Sequence, residues 1–122
     1  MHDLRDSSEN YLEAIVVLKR EKGHVRSIDI ANHLELSRPS VSKAMKKLEE
    51  LGHIVMESDG EIVLLESGER IGREIDERHQ ILYRLLVKLG VSEENAENDA
   101  CKIEHALSQE TFDRLKQVFG ED

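Results

Sequence analysis

Near its C-terminal end the chain reads Ala100-Cys101-Lys102-Ile103-Glu104-His105. Cys101 stands three residues before Glu104 and four before His105, the offsets that gather side chains on one face of a helix. A thiol, a carboxylate and an imidazole on one stripe can begin a site for a first-row transition metal. Each also has a plainer role. A lone cysteine is more often a small core residue than a ligand, and a helical glutamate commonly pairs with a base. No nucleophile–base pair or phosphate-binding loop accompanies the stripe, so the pattern reads as a binding site and not as an enzyme's.

These residues need elements to position them. Tyr11, Ile15 and Leu18, with Leu12 and Val16 beside them, predict a first helix over 8–22 that Gly23 stops. Ser27 reads as the cap of a short helix over 28–34, and Glu35-Leu36-Ser37 as a tight connection. Ser37 caps the next helix, with Pro39 in its first turn where a missing N–H costs little. That helix is expected to run to about Leu51, to bury Val41, Met45 and Leu48, and to end at Gly52. The apolar runs 53–56 and 61–65 flank Ser58-Asp59-Gly60 and predict a β-hairpin. A long helix follows from Ser67 to Leu89 with an Ile/Leu stripe, then one from Ser92 to about Leu107. Ser108 caps the last helix, to Phe119 before Gly120. The order α-α-α-β-β-α-α-α predicts a mainly α fold. A winged helix-turn-helix over 1–66 precedes a helical domain over 67–122, and the first helix is shared between them.

Two helices joined by a short turn, the second led by Ser37-Arg38-Pro39-Ser40, match the helix-turn-helix plan for reading double-stranded DNA. Small hydroxyls and a proline let the backbone approach DNA, and helix N-terminal amides attract phosphate. The candidate DNA contacts are Arg26, Ser27, Ser37, Arg38, Pro39, Ser40, Ser42, Lys43, Lys46 and Lys47. Serines at helix starts are usually caps and exposed lysines usually just solvated; the ordered set of elements gives these residues their weight. The hairpin tip, Ser58-Asp59-Gly60-Glu61, is acidic, so few phosphate contacts are expected from it.

The formal net charge of −9 argues against a DNA binder until it is mapped. Residues 1–56 hold nine acids and nine bases, whereas residues 57–122 hold seventeen acids and eight bases. The N-terminal half can therefore present a cationic face to phosphates while the other half attracts cations. One cysteine forms no internal disulfide, and no apolar run is long enough to cross a membrane. With no apolar leader in Met-His-Asp-Leu-Arg-Asp, the expectation is a cytoplasmic protein. Aromatic residues make up only 3% of the chain, so the core rests on Leu, Ile and Val, and dimerisation is expected to cover further helix surface.

The chain closely resembles the diphtheria toxin repressor family of metal-dependent repressors, which includes the manganese transport regulators. The resemblance rests on Ser8-Glu9-Asn10-Tyr11-Leu12-Glu13, Ser37-Arg38-Pro39-Ser40-Val41-Ser42, Arg78-His79 and Asn98-Asp99-Ala100-Cys101-Lys102-Ile103-Glu104-His105. It implies a metal set of Asn10, Glu13, His79, Cys101, Glu104 and His105. Asn10 stands where iron-type members have methionine and manganese-type members aspartate. Glu13 is as in the manganese type, and Cys101 as in the iron type. A second, iron-type site is implied to be damaged, because Tyr83 and Glu97 stand where the family offers glutamate and histidine; Glu97 could still ligate. The SH3-like domain of longer members is expected to be absent.

What the resemblance implies is a homodimer that binds a palindromic operator when loaded with Fe(II) or Mn(II), with Co(II), Ni(II) or Zn(II) able to substitute in vitro. The ion cancels repulsion between Glu13 and Glu104 and fixes the spacing of the two recognition helices. The rival is a metal-independent winged helix acting as a regulator or protein-interaction module, with Cys101 at most a redox thiol.

Overall fold

The computed structural model describes residues 8–119; residues 1–7, where the absence of a leader was read, and Gly120 lie outside them. Six helices and a two-stranded sheet follow in the order α1 (Ser8–Lys22), α2 (Ser27–Leu34), α3 (Arg38–Glu50), β1 (Ile54–Met56), β2 (Ile62–Leu64), α4 (Glu66–Lys88), α5 (Glu93–Ile103) and α6 (Gln109–Phe119). The fold is mainly α, a winged helix-turn-helix followed by a helical domain. Two compact units divide the chain inside α4, between Glu74 and Ile75.

In the first unit, α1, α2 and α3 close over a core of Leu12, Ile15, Val25, Ile30, Val41, Met45 and Leu48, which Ile54 and Ile62 complete from the hairpin. The strands are antiparallel with Val55 opposite Val63. Their 2-residue periodicity sends Ile54 and Ile62 inward, both fully buried. The Ile62 amide also donates to the Val25 carbonyl at 2.8 Å, which fastens the hairpin to the segment between α1 and α2. The first turns of α4 complete the unit. A Cβ on Gly72 would lie 2.6 Å from Val16 Cγ2 and 2.7 Å from the Leu12 carbonyl oxygen. Only glycine lets α4 approach α1 this closely.

Local signals set the ends of α3. Ser37 Oγ accepts from the Ser40 amide at 3.3 Å, and Pro39 lies in the first turn. At the other end Gly52 takes a left-handed φ of 81°. Its amide donates to the Glu49 carbonyl and that of His53 to the Leu48 carbonyl, the paired bonds of a Schellman ending. The turn between α2 and α3 ends α2 in the same way but without glycine. Glu35 is left-handed at φ 57°, and the Leu36 amide reaches back to Ala31 at 3.0 Å. One expected cap is corrected. Ser27 is the first residue of α2 and Arg26 is the N-cap; the Asp29 carboxylate accepts the Arg26 amide at 2.9 Å.

The second unit packs the rest of α4 with α5 and α6 around Ile75, Ile81, Leu82, Ala96, Ala100 and Phe112. Ser92 and Ser108 lead α5 and α6, accepting the amides of Asn95 at 3.3 Å and Thr111 at 3.1 Å. The difference from expectation is the end of α5. It closes at Ile103, with Glu104 as its cap, and does not continue to about Leu107. No helix among the described residues is long and apolar enough to cross a membrane.

Candidate metal centre and DNA-reading surface

His79 is the centre of the site. Helical phase on α4 turns it toward α5, and both of its ring nitrogens are engaged. Nδ1 donates to Glu104 Oε2 at 3.0 Å with Cys101 Sγ at 3.9 Å, and Nε2 donates to Glu97 Oε2 at 3.0 Å. Two donating nitrogens describe an imidazolium. The Cys101 sulfur and then the Glu104 carboxylate hold the pKa of His79 well above its ordinary value of 6.5, against an opposing effect of burial. Behind this pair, His105 Nε2 lies 3.4 Å from Glu104 Oε1.

Burial grades across the cluster. The Glu104 side chain is 0% exposed, His79 15% and Glu97 57%, while Cys101 is exposed. Because α5 ends at Ile103, the helical stripe from Cys101 runs out at the cap Glu104, whose amide still bonds the Ala100 carbonyl, and His105 lies beyond it. Cys101 sits on the last turn of the helix with Glu97 one turn before it, and Glu104 and His105 lie on the corner that follows.

A test of fit to a metal comes from the donor set. One nitrogen of His79, one carboxylate oxygen of Glu97 and the Cys101 sulfur all lie within 4.8 Å of one another. Two metal–ligand bonds of about 2.0–2.3 Å span nearly that distance. The residues fit a divalent ion, and their mixed nitrogen, oxygen and sulfur chemistry suits the first transition row. Of the residues named from sequence, His79, Cys101, Glu104 and His105 come together in the second unit. Asn10 and Glu13 belong to α1 in the first, one half-buried and the other buried. Glu97, expected in a damaged second site but still able to ligate, is a direct partner of His79. Its spacing of four residues from Cys101 was the available signal.

The candidate DNA contacts divide by surroundings. Val41, Met45 and Leu48 turn into the core, which leaves Arg38, Pro39, Ser40, Ser42, Lys43, Lys46 and Lys47 exposed on the remaining faces of α3. Ser37 is occupied as the cap, and its hydroxyl donates to Ser40 Oγ at 2.9 Å. Ser27 is half-buried in the first turn of α2. Arg26 reaches the hairpin tip, where Nε donates to the Asp59 carbonyl at 3.2 Å and Nη2 to its carboxylate at 3.4 Å.

This combination of a serine-led recognition helix and a His/Glu/Cys cluster has counterparts among known proteins. The description "Iron dependent repressor, N-terminal DNA binding domain" matches residues 3–62, and "Iron dependent repressor, metal binding and dimerisation domain" matches residues 65–121. The chain belongs to the iron-dependent repressor family. Among curated relatives of this family member, the HTH-type transcriptional regulator MntR of Geobacillus kaustophilus is 41% identical over 119 residues, covering 95% of this chain and 84% of the relative. The transcriptional regulator MntR of Escherichia coli O157:H7 is 40% identical over 112 residues, covering 92% and 72%.

Solved structures agree. The IdeR of T. acidophilum superposes with a TM-score of 0.83 at 29% identity, covering 95% of this chain and 55% of that one. A manganese-dependent transcriptional repressor in complex with manganese gives 0.83 at 25% identity, covering 95% and 54%. The chain thus spans about half the length of these solved structures. This iron-dependent repressor family member is a metal-dependent transcriptional regulator. Regulators of this family are manganese- or iron-dependent and are not enzymes.

Proposed function

We propose that the protein is a cytoplasmic repressor of metal-homeostasis genes that binds a palindromic operator as a homodimer when loaded with Fe(II) or Mn(II). The observation that carries this reading is the cluster around His79, where Glu97, Cys101 and Glu104 meet one imidazole at hydrogen-bond or near-contact range. His79, Cys101, Glu104 and His105 hold the ion, with Glu97 at the rim. By the family resemblance, Asn10 and Glu13 of α1 add ligands of the DNA-binding domain, which we place at 1–66, with the dimerisation and metal-binding domain at 67–122. The sulfur donor favours Fe(II), and the carboxylates favour Mn(II). The ion supplies positive charge that offsets its acidic ligands and cross-links the elements that carry them.

On the DNA side, Ser37 to Ser42 present the N-terminal turns of α3 to the major groove, and Lys43, Lys46 and Lys47 neutralise phosphates. Arg26 and Ser27 approach the backbone beside them. Two such helices in a dimer meet successive major grooves about one helical turn apart. Metal coupling of about 1–3 kcal/mol changes operator affinity roughly 5–150-fold.

Fluorescence anisotropy on a palindromic operator, with Mn(II), Fe(II), Co(II) and Zn(II) added in turn, tests this. Divalent ions are expected to strengthen binding in the wild type, and Glu104→Ala to lose that stimulation while staying dimeric by sedimentation. Stimulation unchanged in Glu104→Ala counts against the site. DNA binding that survives EDTA favours a metal-independent winged-helix module.

A further inference from the structure

Arg78, the residue before His79 on α4, touches none of the donor atoms, yet it holds the corner that carries two of them. Its Nη1 donates to the carbonyl oxygens of Glu104 at 3.1 Å and Leu107 at 2.9 Å. Its Nη2 donates to Gln109 Oε1 at 3.0 Å. The guanidinium lies over the Phe112 ring, 5.2 Å from its centroid. One planar fork therefore joins the cap of α5, the residue before Ser108 and the first turn of α6.

We propose that Arg78 is a positioning residue for metal binding, fixing the backbone of Glu104, and with it the adjoining His105, at the distance from His79 that a single ion requires. The Glu104 amide closes the α5 ladder on the Ala100 carbonyl at 3.0 Å, but Glu104 is the cap, and its carbonyl and His105 lie beyond the last regular turn. A helix end leaves carbonyls without intrahelical partners, and here a side chain from α4 supplies donors to this corner. Because Arg78 and His79 are consecutive, the ligand on α4 and the clamp on the corner move together. Lysine cannot substitute. A compact ammonium lacks the rigid fork that meets separate acceptors and the flat face that stacks on phenylalanine.

This role rests on the metal-centre reading, and Co(II) binding separates the two. Arg78→Lys and Arg78→Met are compared with the wild type and with Gln109→Ala, which removes only the outermost acceptor. Co(II) affinity is read by chelator competition, the ligand field by d–d and thiolate charge-transfer absorption, and the metal-free corner by amide hydrogen exchange at 104–108. Both Arg78 variants are expected to fold, to lose roughly tenfold or more in Co(II) affinity, to shift the d–d bands and to exchange faster at the corner. Gln109→Ala should stay near the wild type. A lowered melting temperature in Arg78→Lys with unchanged Co(II) affinity and spectrum would overturn the positioning role. Wild-type protein that takes up no Co(II) overturns the metal reading itself; in that case unchanged exchange at the corner in Arg78→Lys overturns the positioning role as well.

Discussion

Nε2 of His79 donates to Oε2 of Glu97 at 3.0 Å, although eighteen positions separate them and Glu97 is the more exposed partner. The bond takes up the imidazole nitrogen that faces away from Glu104. It leaves the His79 ring fixed from both sides before any ion arrives, as ligand-orienting partners commonly do.

Glu97→Ala should therefore weaken Mn(II) or Co(II) binding by about tenfold or more while leaving the fold intact, because the side chain is largely in solvent. Titration calorimetry with each metal checks this. An unchanged affinity would reduce Glu97 to a surface ion pair, and such pairs contribute little.

Metal binding should release protons and weaken as pH falls. In the metal-free protein His79 is held protonated by the Cys101 sulfur and the Glu104 carboxylate, above its ordinary 6.5, and an ion can use that nitrogen only once the proton has left. The stability contribution has the opposite sense. A raised folded-state pKa stabilises the metal-free protein fully below pH 6.5, and that gain is lost as pH climbs toward the raised value. Calorimetry in buffers of different ionisation enthalpy counts the protons released. A pH series of urea melts on the metal-free protein tests the sign.

Glu35→Gly should stabilise the first unit. A side chain at φ 57° costs roughly 1–2 kcal/mol, partly offset because glycine gains freedom in the unfolded chain, about 0.5–1 kcal/mol. A net gain of about 0.5–1 kcal/mol is expected, read as a higher urea midpoint at unchanged m-value.

Asp59→Ala should tighten DNA binding. It removes an acid from the hairpin tip and frees the Nη2 end of Arg26, which now bonds the Asp59 carboxylate at 3.4 Å, while Nε keeps the Asp59 carbonyl. The slope of log affinity against log salt should steepen by about one phosphate equivalent. Anisotropy across a salt series measures it, and a slope identical to the wild type would mean that Arg26 does not reach the backbone.

The winged-helix plan was readable because its signals are local. Ser37, Ser92 and Ser108 cap where their positions predict, Gly52 closes α3, and Ser58-Asp59-Gly60 forms the turn. What the sequence could not show came from contacts between distant residues. The end of α5 is marked by no glycine or proline; Arg78 takes the carbonyls of Glu104 and Leu107, 26 and 29 positions away. Likewise nothing in Arg26 alone tells that Asp59, 33 positions on, engages it. At the metal centre, Cys101, Glu104, His105 and His79 could be named from spacing and resemblance. The partnership of Glu97 depended on how α4 packs on α5.

The gradation of exposure from Cys101 and Glu97 to Glu104 gives the centre an open rim and a closed floor. An ion held here would reach the thiol and the outer carboxylate from solvent more readily than the buried Glu104 oxygen. The exposed rim would then be the part open to chelators and other solutes, and the buried floor the part shielded from them. Occupancy would then follow a changing metal supply without the whole domain having to open.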